Sequence, residues 1–104
     1  MKTIISLPTS PNVKFSCDVT NDAGEILALD ISLRTYEDKN VSMDLAANSQ
    51  TIFMSRNCIN KSPLILNNQL GGNIYFEDQF GDNDPYYTGY NNRYILVFDS
   101  EFRV

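Results

Sequence analysis

Apolar and polar residues alternate cleanly along one stretch of the chain, where Leu27, Leu29, Ile31 and Leu33 are set against Ala28, Asp30, Ser32 and Arg34. A period of two turns one row toward a buried face and the other toward solvent, which predicts a half-buried strand. Val41, Met43 and Leu45 repeat the pattern against Ser42 and Asp44. The polar Glu37-Asp38-Lys39-Asn40 between the two runs reads as a turn, so together they predict a β-hairpin with Tyr36 at its shoulder. Upstream, Val13, Phe15 and Cys17 alternate with Lys14, Ser16 and Asp18. Asn21-Asp22-Ala23-Gly24 then supplies the turn chemistry that returns the chain into the Glu25 to Arg34 strand.

The second half is less regular. Thr51 to Asn60 sets Ile52, Met54 and Cys58 on one face and Phe53 and Ile59 on the other, as in a bent strand or one covered on both sides. Met43 to Gln50 is the one segment whose Met, Leu and Ala content competes as a short helix. Asn60-Lys61-Ser62-Pro63 reads as a turn, Leu64-Ile65-Leu66 as a short buried strand, and Asn67 to Gly72 as the most flexible connector. Ile74-Tyr75-Phe76 and the run Tyr94 to Asp99 complete the set of strands. Short strands at this spacing predict an all-β protein, an antiparallel β-sandwich or a small β-barrel. With 104 residues the chain has room for one core, so residues 1–104 are expected to form a single domain.

Composition narrows the chemistry. Eight Lys and Arg against thirteen Asp and Glu give a net charge of −5 with no basic run, which disfavours binding to nucleic acid. The apolar run Ile4-Ile5 is cut off at Pro8 and is too short for a signal-peptide core, and no later segment reaches membrane-spanning length, so no membrane anchor is expected. Histidine and tryptophan are absent, and no Gly-x-Ser-x-Gly elbow or Gly-rich phosphate cradle occurs. Glu77, Asp78, Asp82 and Asp84 crowd one region, yet acidic loop residues are ordinarily solvated, and Asp82-Asn83-Asp84 followed by Pro85 breaks the calcium-loop spacing and reads as an Asx turn. No catalytic, cofactor-binding or metal-binding residue is assigned. Cys17 and Cys58, the two cysteines, sit in apolar-patterned segments and are expected to be buried, reduced thiols rather than a disulfide.

The stretch Asp84-Pro-Tyr-Tyr-Thr-Gly-Tyr-Asn-Asn-Arg-Tyr94 holds the strongest functional candidates. Pro85 fixes its own φ and Gly89 is free to take φ > 0, so the segment is expected to be a shaped loop that feeds a strand. Tyrosine joins a large contact area to one polar handle at low entropic cost. Tyr86, Tyr87, Gly89, Tyr90 and Arg93 are accordingly the candidates for an interface, while Tyr94, which opens an alternating run, belongs to the core. Two uses compete for the loop: an assembly surface, or a small β-sandwich module binding glycans or peptides.

Leu7-Pro8-x-x-Pro11-Asn12-x-x-Phe15, then Asp30-Ile31-x-Leu33-Arg34 with Asp44-Leu45, and finally Asp84-Pro85, Gly89 and Arg93-Tyr94-x-Leu96-Val97-Phe98 form an ordered set that spans nearly the whole chain. This set resembles the baseplate plug family of contractile-tailed phages with simplified, cyanophage-type baseplates. The chain departs from that pattern at Tyr90-Asn91-Asn92, where a Leu-Gly-Thr-like stretch is usual, and in the aromatic pair that often precedes the Asp-Leu. The resemblance implies a non-enzymatic structural protein of the virion, made in the host cytoplasm and built into the tail baseplate near the axis. Its partners would be the tail tube, hub and spike, and it would stand there as a symmetric homo-oligomer, a hexamer or a trimer.

Overall fold

A computed structural model describes residues 2–37, 40–65 and 70–102. Seven strands follow in chain order: β1 Lys2–Ile5, β2 Asn12–Thr20, β3 Ile26–Thr35, β4 Val41–Ala47, β5 Gln50–Asn57, β6 Asn73–Asp78 and β7 Tyr94–Asp99. All their pairings are antiparallel. They form two separate sheets, one ordered β1-β7-β6 and the other β2-β3-β4-β5, so the architecture is a sandwich and not a closed barrel.

The four-stranded sheet is the part that alternation predicts. Along β3, Leu27, Leu29, Ile31 and Leu33 are all buried, and the last three are fully so. The β2–β3 register runs unbroken from Asn12↔Arg34 to Thr20↔Ile26. Its turn is held by Asn21, whose Oδ1 accepts from the N–H of Ala23 and of Glu25, with Gly24 at φ +80. Tyr36 N–H donates to the Asn40 carbonyl and closes the β3–β4 hairpin; Asp38 and Lys39 of the expected turn lie outside the described residues.

Met43 to Ala47 takes the predicted strand and not the competing helix, because Met43 and Leu45 face the core in register with Leu33 and Ile31; cross-strand packing outweighs a weak helix propensity. Two expectations for the segments that follow are corrected. The β4–β5 turn at Asn48 and Ser49 has φ of 51 and 67, the geometry of a two-residue hairpin turn. In β5, Ser55 sits at φ 54, and the register with β4 shifts between Met43 and Leu45 and between Leu45 and Ala46. The faces expected for Thr51 to Asn60 are therefore not kept: Phe53 and Cys58 are buried, whereas Met54 and Ile59 are exposed. Leu64 and Ile65 are buried, as expected, but form no strand. Leu66 and the connector residues 67–69 lie outside the described residues.

The three-stranded sheet contains a strand that the sequence reading did not recognise. Pro8 ends the short apolar run after Leu7, yet Lys2 to Ile5 pairs with Asp99 to Leu96 and makes β1 an edge strand. Ile5, Leu7, Ile74, Phe76, Leu96 and Phe98 from this side meet the inner rows of β3 and β4 in one continuous core. The other edge, β6, is covered by the segment after β5. Leu64 N–H donates to the Ile74 carbonyl, Lys61 N–H donates to the Phe76 carbonyl, and Asn60 Oδ1 accepts from Asp78 N–H.

Candidate functional site

Strands β6 and β7 pair as far as Asp78↔Tyr94, and between those two residues the chain makes the excursion 79–93. Asp78 is the reason this long connection keeps a fixed shape. Its position shares the inward parity of Ile74 and Phe76, and its side chain is fully buried. A buried carboxylate needs partners. Oδ1 accepts from Arg93 Nε at 2.9 Å and from the Phe80 N–H at 3.0 Å; Oδ2 accepts from Arg93 Nη2 at 3.0 Å and from the Asn83 N–H at 2.9 Å. The fork-to-fork pairing fixes both groups in one plane. The Arg93 hydrogen bonds, reinforced by those from the Phe80 and Asn83 N–H groups, hold the Asp78 carboxyl well below the usual carboxylate range. Gln79 N–H donates to the Arg93 carbonyl at 2.7 Å and closes the neck of the loop.

The rest of the loop is pinned at two further points. Asp84 Oδ1 accepts from Asn60 N–H at 3.0 Å. Asn91, at φ 70, reaches across to the N-terminal segment, accepting from Leu7 N–H at 2.8 Å and donating Nδ2 to the Leu7 carbonyl at 2.6 Å. Between these anchors Tyr87–Gly89 forms one turn of 3₁₀-helix.

The five residues expected at an interface occupy different environments. Tyr86 and Tyr87 are half-buried, pack on the core at their base, and stand with ring centroids 4.8 Å apart, tilted by 51°. Tyr90 is not at the surface: it is 1% exposed and stacks on Phe76 at 5.8 Å, because the 3₁₀ turn directs it into the sandwich. Burial pushes its phenol well above the ordinary value. Gly89 does not take φ > 0; that role falls to Asn91. Its lack of a side chain matters for another reason, since a Cβ there would lie 2.7 Å from Tyr94 Cδ2 and 2.8 Å from Cε2. Arg93 spends its guanidinium on Asp78 and lies 5.4 Å from the Tyr94 ring centroid.

Two features escaped the sequence reading. Phe80, at the start of the loop, is 77% exposed, the highest value among the large hydrophobic side chains of the described residues. Asp78 acts as the brace of the loop rather than as one more solvated acid; the available signal was an acid at a core-facing strand position, which demands a cation nearby. Among the described residues no group of three or more His, Cys, Asp or Glu side chains is placed to hold a metal ion.

The fold and the loop together define a small β-sandwich whose distinctive feature is a braced, aromatic excursion from one sheet. A family model described as the cyanophage baseplate Pam3 plug gp18 matches residues 1–101. The chain belongs to this baseplate plug family and has a structural role in the phage baseplate. No curated protein matches it.

Proposed function

We propose that the protein serves as the plug near the axis of the tail baseplate, between the tail tube and the hub or spike, and works by protein–protein assembly without catalysis. The family match over nearly the whole chain carries this reading. The braced loop supplies a physical means. Tyr86, Tyr87 and Phe80 present aromatic surface on a segment held at Asp78, Asp84 and Asn91. A surface fixed before contact loses little conformational entropy on binding, which favours an assembly role. Several copies around the axis, as a trimer or hexamer in contact with the tube, hub and spike proteins, complete the proposal.

The competing use, a glycan- or peptide-binding module, would hold its ligand against stacked rings. Two open cavities of about 420 and 410 Å³ lie against the four-stranded sheet and beside the β2–β3 turn, and neither of these is lined by Tyr86 or Tyr87.

The test is complementation of a phage lacking this gene, with electron microscopy of the particles. Thr88 is exposed at the tip of the 3₁₀ turn. Thr88→Glu therefore adds charge to the contact surface without touching the core, and Tyr86→Ser with Tyr87→Ser removes the aromatic pair. Both variants are expected to remain folded and to be missing from particles. Normal tails containing either variant at wild-type occupancy would rule out the loop as the assembly surface.

A further inference from the structure

We infer that the free protein pairs with a second copy of itself, edge to edge through β2, in an antiparallel register centred on Ser16. The inference concerns the chain in solution and does not depend on its place in a baseplate. It begins from which edges are open. β6 is covered by residues 60–65, β5 is broken by the register shifts facing Ser55, and β1 has only four residues. β2 runs for nine residues in unbroken register with β3 and has a neighbour on one side only. A long, regular, uncovered edge is a template for pairing unless it is bulged, shortened or blocked by proline.

The direction of its backbone groups follows from the ends of the hairpin. Asn21 N–H donates to the Glu25 carbonyl and Thr35 N–H donates to the Pro11 carbonyl, so the odd-numbered residues of β2 bond to β3. Asn12, Lys14, Ser16, Asp18 and Thr20 therefore point their N–H and C=O groups away from the sheet. No hydrogen bond among the described residues uses these outward groups.

The side chains on this edge are complementary to themselves. With the twofold at Ser16, Lys14 of each copy stands opposite Asp18 of the other, and Asn12 stands opposite Thr20. Neither Lys14 nor Asp18 has an ion-pair partner within its own chain among the described residues. On the inner face Val13 meets Val19, and Phe15 meets Cys17. Val13, Phe15 and Cys17 are only half-buried because their flank lacks a neighbour, and the same apolar row from a second copy would cover it. Shifting the centre by one residue loses the charge match: a twofold at Phe15 sets Lys14 opposite Ser16, and one at Cys17 sets Lys14 opposite Thr20. The register centred on Ser16 makes about ten intermolecular N–H···O bonds and unites the two four-stranded sheets into one.

Sedimentation equilibrium over a concentration series, together with cross-linking, tests the inference. Wild-type protein is expected to reach twice its 11.8 kDa chain mass. Lys14→Glu sets like charges opposite each other at two symmetric positions and is expected to raise the dissociation constant by roughly tenfold or more. Adding Asp18→Lys to that variant restores the match and the affinity. Ser16→Cys in a Cys17→Ser background is expected to give a covalent dimer under mild oxidation, since the Cα atoms of a hydrogen-bonded antiparallel pair lie about 5.5 Å apart, within disulfide reach. A wild-type chain that stays monomeric throughout overturns the inference. So does a dimer that is insensitive to the charge swap, or one in which the unaltered chain cross-links through Cys17, because either would place the contact at another surface or in another register.

Discussion

Ile31 lies at the centre of the four-stranded sheet, paired with Phe15 on one side and Leu45 on the other, and is 0% exposed. Ile31→Ala removes three carbons from that position. At about 0.8 kcal/mol per buried methylene the lost transfer free energy is about 2.4 kcal/mol. A central strand position, flanked by strands on both sides and capped by the opposite sheet, cannot collapse to fill the space, so a cavity term adds to this and the expected cost is about 3 to 4 kcal/mol. Ser32, the next residue, faces the other way, and Ser32→Ala is expected to change stability by less than about 0.5 kcal/mol. Urea unfolding followed by circular dichroism measures both, and an unchanged m-value would show that the difference lies in stability and not in the extent of unfolding. Equal destabilisation by the two substitutions would refute the assignment of faces along β3, and with it the position of the core.

The Asp78 carboxyl is held below its unfolded value of about 3.9, so the brace stabilises the fold fully above about pH 5 and is lost as the pH falls through 4 and below. The Tm of the wild type should accordingly fall more steeply between pH 5 and pH 2 than that of Asp78→Asn, and parallel curves would show that the brace contributes nothing to folding. Cys17 and Cys58 are free thiols, and burial pushes Cys58 up to about 12 while Cys17 is raised by partial burial and by Asp18 and Asp30. A thiol reagent applied to folded protein near pH 8 should modify Cys17 slowly and Cys58 only after unfolding; rapid labelling of Cys58 in the native state would contradict its burial.

The legible part of the fold is the part built by main-chain ladders between alternating rows. β2, β3 and β4 are continuous in register, and each inward residue is apolar, so a period of two in the sequence is a period of two in space. β5 fails because one residue at positive φ, Ser55, lies where the register slips, and a slip of one position exchanges the faces beyond it. Phe53 and Cys58 differ in parity, yet both are buried. For the loop, the aromatic content drew attention to the right segment, but the side chains within it divide between core and surface. Tyr90 and Tyr86 have the same chemistry; a single turn of 3₁₀-helix separates their environments.

Much of the chain outside the alternating strands is tied by side-chain amides. At four places an asparagine side chain does the work that a strand neighbour or a turn would otherwise do. Asn73, fully buried, accepts from Ile65 N–H and donates to the Ile65 carbonyl, so residues 64 and 65 are fixed beside β6 without becoming a strand. Asn91 makes the same two-way bond with Leu7, Asn60 accepts from Asp78 N–H, and Asn21 closes the β2–β3 turn while donating to the Leu70 carbonyl. A primary amide carries one acceptor and two donors in the geometry of a peptide group and can satisfy the backbone of a distant segment as a paired strand would. In the sequence the same residues register only as turn formers, because local preference is all that composition and spacing record. Three of these bonds surround the braced loop or the covered edge of β6, which makes the three-stranded sheet and its excursion a unit tied by side chains. The four-stranded sheet is tied by its backbone, and its outer edge at β2 is left open for a partner.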